Sequence, residues 1–157
     1  LPRHWRFPDV LPVNERGKLT DDSLRALFRP SAGNVSERDL LPAVLAVHRD
    51  SAAVVTLDLH VPPQLLHFAG HFPGLPILPG VVQVDWALRL ARRHFAWDAC
   101  LPRFSALEKL KFHAPVLPDA RLRLQLHWDT ASGRLDFLFL TPQRKHASGR
   151  IVLDVDT

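Results

Sequence analysis

A chain of 157 residues, 46% hydrophobic and 23% charged, is long enough for one domain with a substantial core. No run of 18 apolar residues occurs and no hydrophobic h-region opens the sequence, so neither a helical membrane span nor a secretory signal is expected. The net charge of +4 favours an acidic partner, yet no Lys/Arg run exceeds two residues and no nucleic-acid motif appears, so nucleic acid is not expected; the single Cys100 cannot close an intramolecular disulfide, which fits the cytoplasm.

In chain order, Leu11-Pro12-Val13-Asn14-Glu15-Arg16-Gly17-Lys18-Leu19 resembles the closing motif of adenylate-forming acyl-CoA synthetases, in which a Gly-Lys turn delivers a lysine to the acyl-adenylate. The resemblance implies Lys18 as that lysine, an ammonium that offsets the charge of carboxylate and phosphate as they react. The basic residue often found shortly after it is replaced by Thr20-Asp21-Asp22, and a plain Asn-x-x-Gly turn with a solvated lysine is the alternative reading. The absence of methionine points to a piece of a longer protein, or to a trimmed start. Thr20 to Ser23 caps a short helix bearing Leu24, Leu27 and Phe28, and Arg29 to Asn34 reads as a linker. The expected division is an adenylation-domain tail plus linker over 1–34 and a second domain over 35–157.

Residues 39–48 and 52–61 read as strands around an Arg49-Asp50-Ser51 turn, the first carrying Pro42 and so expected to start late or lie at an edge. Residues 81–96 read as a helix with Val81, Val84, Leu88, Ala91 and Phe95 on one stripe, widened by Val82, Ala87 and Leu90, and so needing burial on more than one side. Strands are expected at 109–116, 120–129, 134–141 and 147–155, with Thr130 to Gly133 as a hairpin turn; in the second of these, Arg121, Arg123, Gln125 and His127 alternate with Leu122, Leu124, Leu126 and Trp128. The fold class is α+β, for which a curved antiparallel sheet round one helix is a solution.

The stretch His67 to Leu90, HFAGHFPGLPILPGVVQVDWALRL, carries the chemistry. Its glycines and prolines select one loop path around His71, and Pro79-Gly80 opens the helix, whose first N–H groups lack internal partners and can face a ligand oxygen. Asp85 follows about 7.5 Å further along the helix axis at 1.5 Å per residue. A base candidate, an oxyanion site and an acid candidate thus share one segment.

Gly70-His71-Phe72-Pro73-Gly74, Pro79-Gly80 and Asp85 together resemble the signature of the hotdog-fold 3-hydroxyacyl-acyl-carrier-protein dehydratases. Lys109-Leu110-Lys111-Phe112-His113-Ala114-Pro115-Val116-Leu117-Pro118-Asp119 resembles that family's second signature, without the usual Gly before the Asp. Asp rather than Glu at 85 resembles the decanoyl-type and aryl-polyene-type branches. The resemblance covers roughly residues 38 to 157. It implies a hotdog fold, His71 and Asp85 as catalytic residues, substrate contacts at Phe72, Pro79, Gly80 and Val81, no cofactor or metal, an acyl-carrier-protein or CoA thioester as substrate, and a homodimer or dimer of dimers in which Asp85 reaches the site from the other subunit. Acyl carrier proteins are generally acidic, which suits the basic chain.

Losing water from a 3-hydroxyacyl thioester requires a base for the α-proton, suited to imidazole, and fixed donors for the enolate oxygen, suited to the Gly80 N–H. Asp85 would protonate the departing hydroxyl, directly or through water. Other readings remain open at this level. Asp85 can simply pair with Arg89 at i,i+4 beside Arg92 and Arg93. His67 and His71 lack a third metal ligand, and Cys100 has no His or basic neighbour in sequence beyond Arg103. A thioesterase or a non-catalytic acyl-binding module would share much of this pattern.

Overall fold

The computed structural model describes residues 36–69, 74–97 and 103–154. The expectations for Lys18 and the adenylation-like tail, for His71 and Phe72, and for Cys100 lie outside the described residues.

Two-residue alternation decides the centre of the sheet. In β4 (Arg121–Asp129) every second residue is buried, with Leu122, Leu124, Leu126 and Trp128 inward and Arg121, Arg123, Gln125 and His127 outward, as expected from the sequence. β2 (Val54–His60) turns Val55, Leu57 and Leu59 the same way and pairs antiparallel with β4. With β1 (Ala43–Arg49), β3 (Arg103–Phe112), β5 (Arg134–Leu140) and β6 (Lys145–Asp154) they form one antiparallel sheet in the order β1-β2-β4-β5-β6-β3. The outward row is tied by charge: Asp58 accepts from Arg123 and lies against His48, both at 2.9 Å, and Arg150 grips Asp136 at 2.7 and 3.0 Å.

Small residues in β6 make room for large ones in β5. Phe137 stands opposite Gly149 and Phe139 opposite Ala147, and the two rings meet edge to face at 6.1 Å. A Cβ at Gly149 would come within 2.9 Å of the Phe137 ring and 3.2 Å of Leu110, so the glycine lets a ring and a neighbouring-strand leucine close over the backbone. Each fully buried Leu or Phe here contributes about 1.5–3 kcal/mol.

The helix α1 (Gly80–His94) packs on this face through Gln83, Trp86, Ala87, Leu90 and Ala91. That corrects part of the stripe expected from the sequence, of which Ala91 and Phe95, with the widening Ala87 and Leu90, are buried as expected. Val81 is 59% exposed and Val84 and Leu88 are only partly buried; the sheet-facing side is rotated by about a third of a turn from the expected one. Hydropathy misplaced it because Gln83, at the centre of the buried side and 3% exposed, counts as polar in any pattern. At the far end Phe95, Trp97 and Trp128 stack into an aromatic cluster with centroids 6.5 and 5.3 Å apart.

One strand start differs from expectation and another agrees with it. β3 begins at Arg103 rather than 109, because register shifts at Phe104/Ala106 and Glu108/Lys111 break its two-residue period. β1 begins at Ala43 and lies at the sheet edge; Pro42 has no N–H to pair, and Glu37–Asp39 form a 3-10 turn instead.

Candidate active site

The start of α1 is fixed from behind by the β3–β4 connection. The Leu78 N–H donates to the Val116 carbonyl at 2.8 Å, and the Val82 N–H turns back to the Pro79 carbonyl at 3.0 Å. Pro79 offers no side-chain cap, so the N–H groups of Gly80 and Val81 have no acceptor within the helix. The Phe112 ring lies directly over Gly80: a Cβ there would stand 2.5 Å from Cζ. Glycine is therefore required both for this approach and for keeping the helix end open at the backbone. Of the expected substrate contacts, Pro79, Gly80 and Val81 are together at this corner, with Val81 facing outward.

Asp85 lies about 160° round the helix from Gln83, on the side away from its own sheet. Its Oδ2 is held by Arg89 Nε at 2.8 Å, and both side chains are nearly half exposed. The i,i+4 pair raised by the sequence is therefore present.

Sequence reasoning missed a junction beside this pair. The Leu40 carbonyl accepts from Trp86 Nε1–H at 2.8 Å and from His67 Nε2–H at 2.9 Å, and the two rings meet edge to face at 6.4 Å. A carbonyl can only accept, so Nε2 carries the proton of His67. Burial pushes His67 below its ordinary value, opposed by the Leu40 bond and by nearby Asp85. The acceptor is main chain, which no side-chain pattern announces. Phe112 had a signal, since it ends the Lys-x-Lys-Phe run, but nothing in the run says that its ring meets Gly80.

Asp119 follows Pro118 directly, without the glycine usual before it in the second motif. It adopts φ +64, a left-handed conformation that Asp tolerates better than most residues, and its Oδ1 lies 2.6 Å from His60 Nε2. Two shallow grooves of about 300 and 340 Å³ lie along β2 and β4, the first reaching β5 and the second His48 of β1, and share Asp50, Thr56 and Gln125; neither is lined by Gly80 or Asp85. The chemistry points to the helix start, so the grooves are not the candidate site.

Among the described residues, a six-stranded antiparallel sheet with one long helix packed on it, entered through a Pro-Gly helix start, defines a hotdog-fold domain. The chain superimposes on the dehydratase heterocomplex ApeI:P from Xenorhabdus doucetiae with TM-score 0.67 and 31% identity, covering 73% of this chain and 98% of that one. Residues 38–150 match the ApeI-like family, the ApeI dehydratase, and the chain belongs to that family. Among curated relatives, the 3-hydroxyacyl-[acyl-carrier-protein] dehydratase FabZ of Erythrobacter litoralis is 35% identical over 74 residues, 43% of this chain and 49% of the relative. FabZ of Koribacter versatilis is 30% identical over 105 residues, 61% of this chain and 65% of the relative. The chain thus spans about half to just under two thirds of the length of these curated relatives.

Proposed function

We propose that the domain removes water from a 3-hydroxyacyl thioester, carried by an acyl carrier protein or CoA, to give the trans-2-enoyl thioester in fatty-acid or polyene-type biosynthesis. The observation that carries this reading is the Pro79–Gly80 helix start with Asp85 one and a half turns on, directly after the Gly70-His71-Phe72-Pro73-Gly74 loop sequence, in a chain of the ApeI-like family. His71 takes the α-proton, and the enolate oxygen is stabilised by the Gly80 N–H at the positive end of α1. As the C3–O bond breaks, Asp85 supplies a proton to the leaving hydroxyl, directly or through a water, and the C2–C3 double bond and one water result. The proton on His71 returns to the carboxylate through solvent, which closes the cycle. Phe72, Pro79 and Val81 contact the acyl thioester. No metal or cofactor enters the scheme.

The domain works as a dimer in this reading. Asp85 points away from its own sheet, β3 is an edge strand, and Leu107, Leu110, Phe112 and Val81 leave apolar surface exposed along that edge and the helix start. A second copy would cover this surface and bring its helix to a site that one chain leaves open. The Xenorhabdus relative is a heterocomplex, so a related second subunit is the other occupant to look for. Light scattering that shows only a 17.7 kDa species at micromolar concentration would count against any such assembly of this chain alone.

The residues before the domain, 1–34, we read as the tail of an adenylating region followed by a linker, which would couple acyl activation to dehydration in a cytoplasmic protein. Sequencing the natural reading frame upstream of Leu1 decides this, and a start codon immediately before it sinks the coupling.

The reaction is tested by mass spectrometry of carrier-bound and CoA-bound 3-hydroxyacyl substrates of several lengths. Loss of water with His71→Ala slower by at least ~10²-fold is the expected result. Asp85→Asn should turn over more slowly while still binding substrate. Release of free acid, or unimpaired dehydration by both variants, would overturn the reading in favour of a thioesterase or of another site.

A further inference from the structure

Resting on the dehydratase reading above, we infer that Arg89 is a positioning residue for Asp85: it holds one carboxyl oxygen so that the other, which carries the proton when Asp85 acts as the acid, is presented to the departing hydroxyl. Arg89 Nε meets Oδ2 at 2.8 Å, and no second ion pair to Asp85 is present among the described residues.

The position of the pair on α1 argues for a role beyond holding the helix together. The two residues are one turn apart on the side away from the sheet, nearly half exposed, where an i,i+4 pair contributes little to stability. The helix is already held by Trp86, Ala87, Leu90 and Ala91 in the core. An unpaired aspartate at such an exposed site is free to change rotamer, and general acid–base work depends on a group standing within hydrogen-bond reach of the proton it transfers. Arg89 removes that freedom at Asp85. The neighbouring ring of His67 is in turn held on the Leu40 carbonyl, so the pair stands beside a fixed surface.

The proposal separates from two simpler roles by its kinetic pattern. A guanidinium that only binds an anionic part of the substrate would act on KM, and a pair that only stabilises the helix would act on folding. Arg89→Ala keeps a strong helix former at an exposed position, so the fold is expected to survive, which circular dichroism checks.

The experiment measures dehydration of 3-hydroxyhexanoyl-CoA and 3-hydroxydecanoyl-CoA by the 157-residue chain and its variants. Arg89→Ala is expected to lower kcat about 10-fold with KM changed by less than about 2-fold, the pattern of lost orientation rather than lost binding. Arg89→Lys, which can still pair at i,i+4, should recover most of kcat, and Arg89→Gln should not. The double variant Asp85→Asn/Arg89→Ala should be no slower than Asp85→Asn alone, because Arg89 acts only through Asp85. An unchanged kcat in Arg89→Ala, a rise in KM at constant kcat, or a further fall in the double variant would overturn the inference and leave the dehydratase reading intact. An Asp85→Asn variant at full speed would overturn both the inference and the role given to Asp85.

Discussion

The Phe112 ring sits over Gly80 so closely that a Cβ on the glycine would meet Cζ at 2.5 Å and Cε1 at 2.6 Å. The far edge strand and the start of the helix are thereby locked at the point where the oxyanion donor is expected.

That contact predicts a coupling. Gly80→Ala overpacks the corner at a cost of about 1–3 kcal/mol, offset by up to about 1 kcal/mol of helix propensity. Replacing Phe112 with Leu removes the clashing ring atoms. The double variant Gly80→Ala/Phe112→Leu should therefore be more stable than the two single changes predict by addition, by on the order of 1 kcal/mol. Urea denaturation of the four chains measures this, and strict additivity would show that the ring yields without cost.

Asp119 provides a second test, because two effects oppose each other at one residue. Its φ of +64 is available to Gly without strain, while its contact with His60 is exposed and weak. Asp119→Gly is expected to lie within about 1 kcal/mol of the parent, and Asp119→Ala to be less stable than Asp119→Gly by about 1–2 kcal/mol, the cost of a Cβ in the left-handed region. Thermal melts of the three proteins check the order. Equal stability of the Ala and Gly variants would mean that the turn relaxes.

His67 makes folding sensitive to acid. Its burial lowers the folded value below the ordinary 6.5, so as pH falls the unfolded chain takes up the proton first. The contribution is fully present above 6.5 and is lost as pH drops through the lower folded value. His67→Gln keeps a donor for the Leu40 carbonyl and cannot titrate. Its stability curve should be flatter than the parent's below about pH 6.5, in the window set by the ordinary histidine value. Parallel curves for the two proteins would remove His67 from the account.

The sheet was legible where residues alternate strictly, as in β4, and illegible where a bulge breaks the count, as at Glu108/Lys111 in β3. The helix was legible in extent but not in orientation, since Gln83 is buried against its type and Val81 is exposed against its own. Within the site, the Pro79–Gly80 start and the Asp85–Arg89 pair could be read because spacing along a helix fixes neighbours. The Phe112–Gly80 contact and the Leu40 junction join segments far apart in sequence, and only the folded path of the backbone brings them together.

The Leu40 junction also sets how this corner tolerates substitution. Its acceptor is a peptide oxygen, so exchanging the side chain at position 40 leaves the acceptor in place. The two donors are independent, and loss of either ring nitrogen leaves the carbonyl with the other. Trp86→Phe and His67→Leu should each be survivable singly, whereas together they strand a carbonyl, at about 1–3 kcal/mol if no water reaches it. The attachment of the helix to the turn at residue 40 is thus redundant by construction, and drift at any one of these three positions meets a second safeguard.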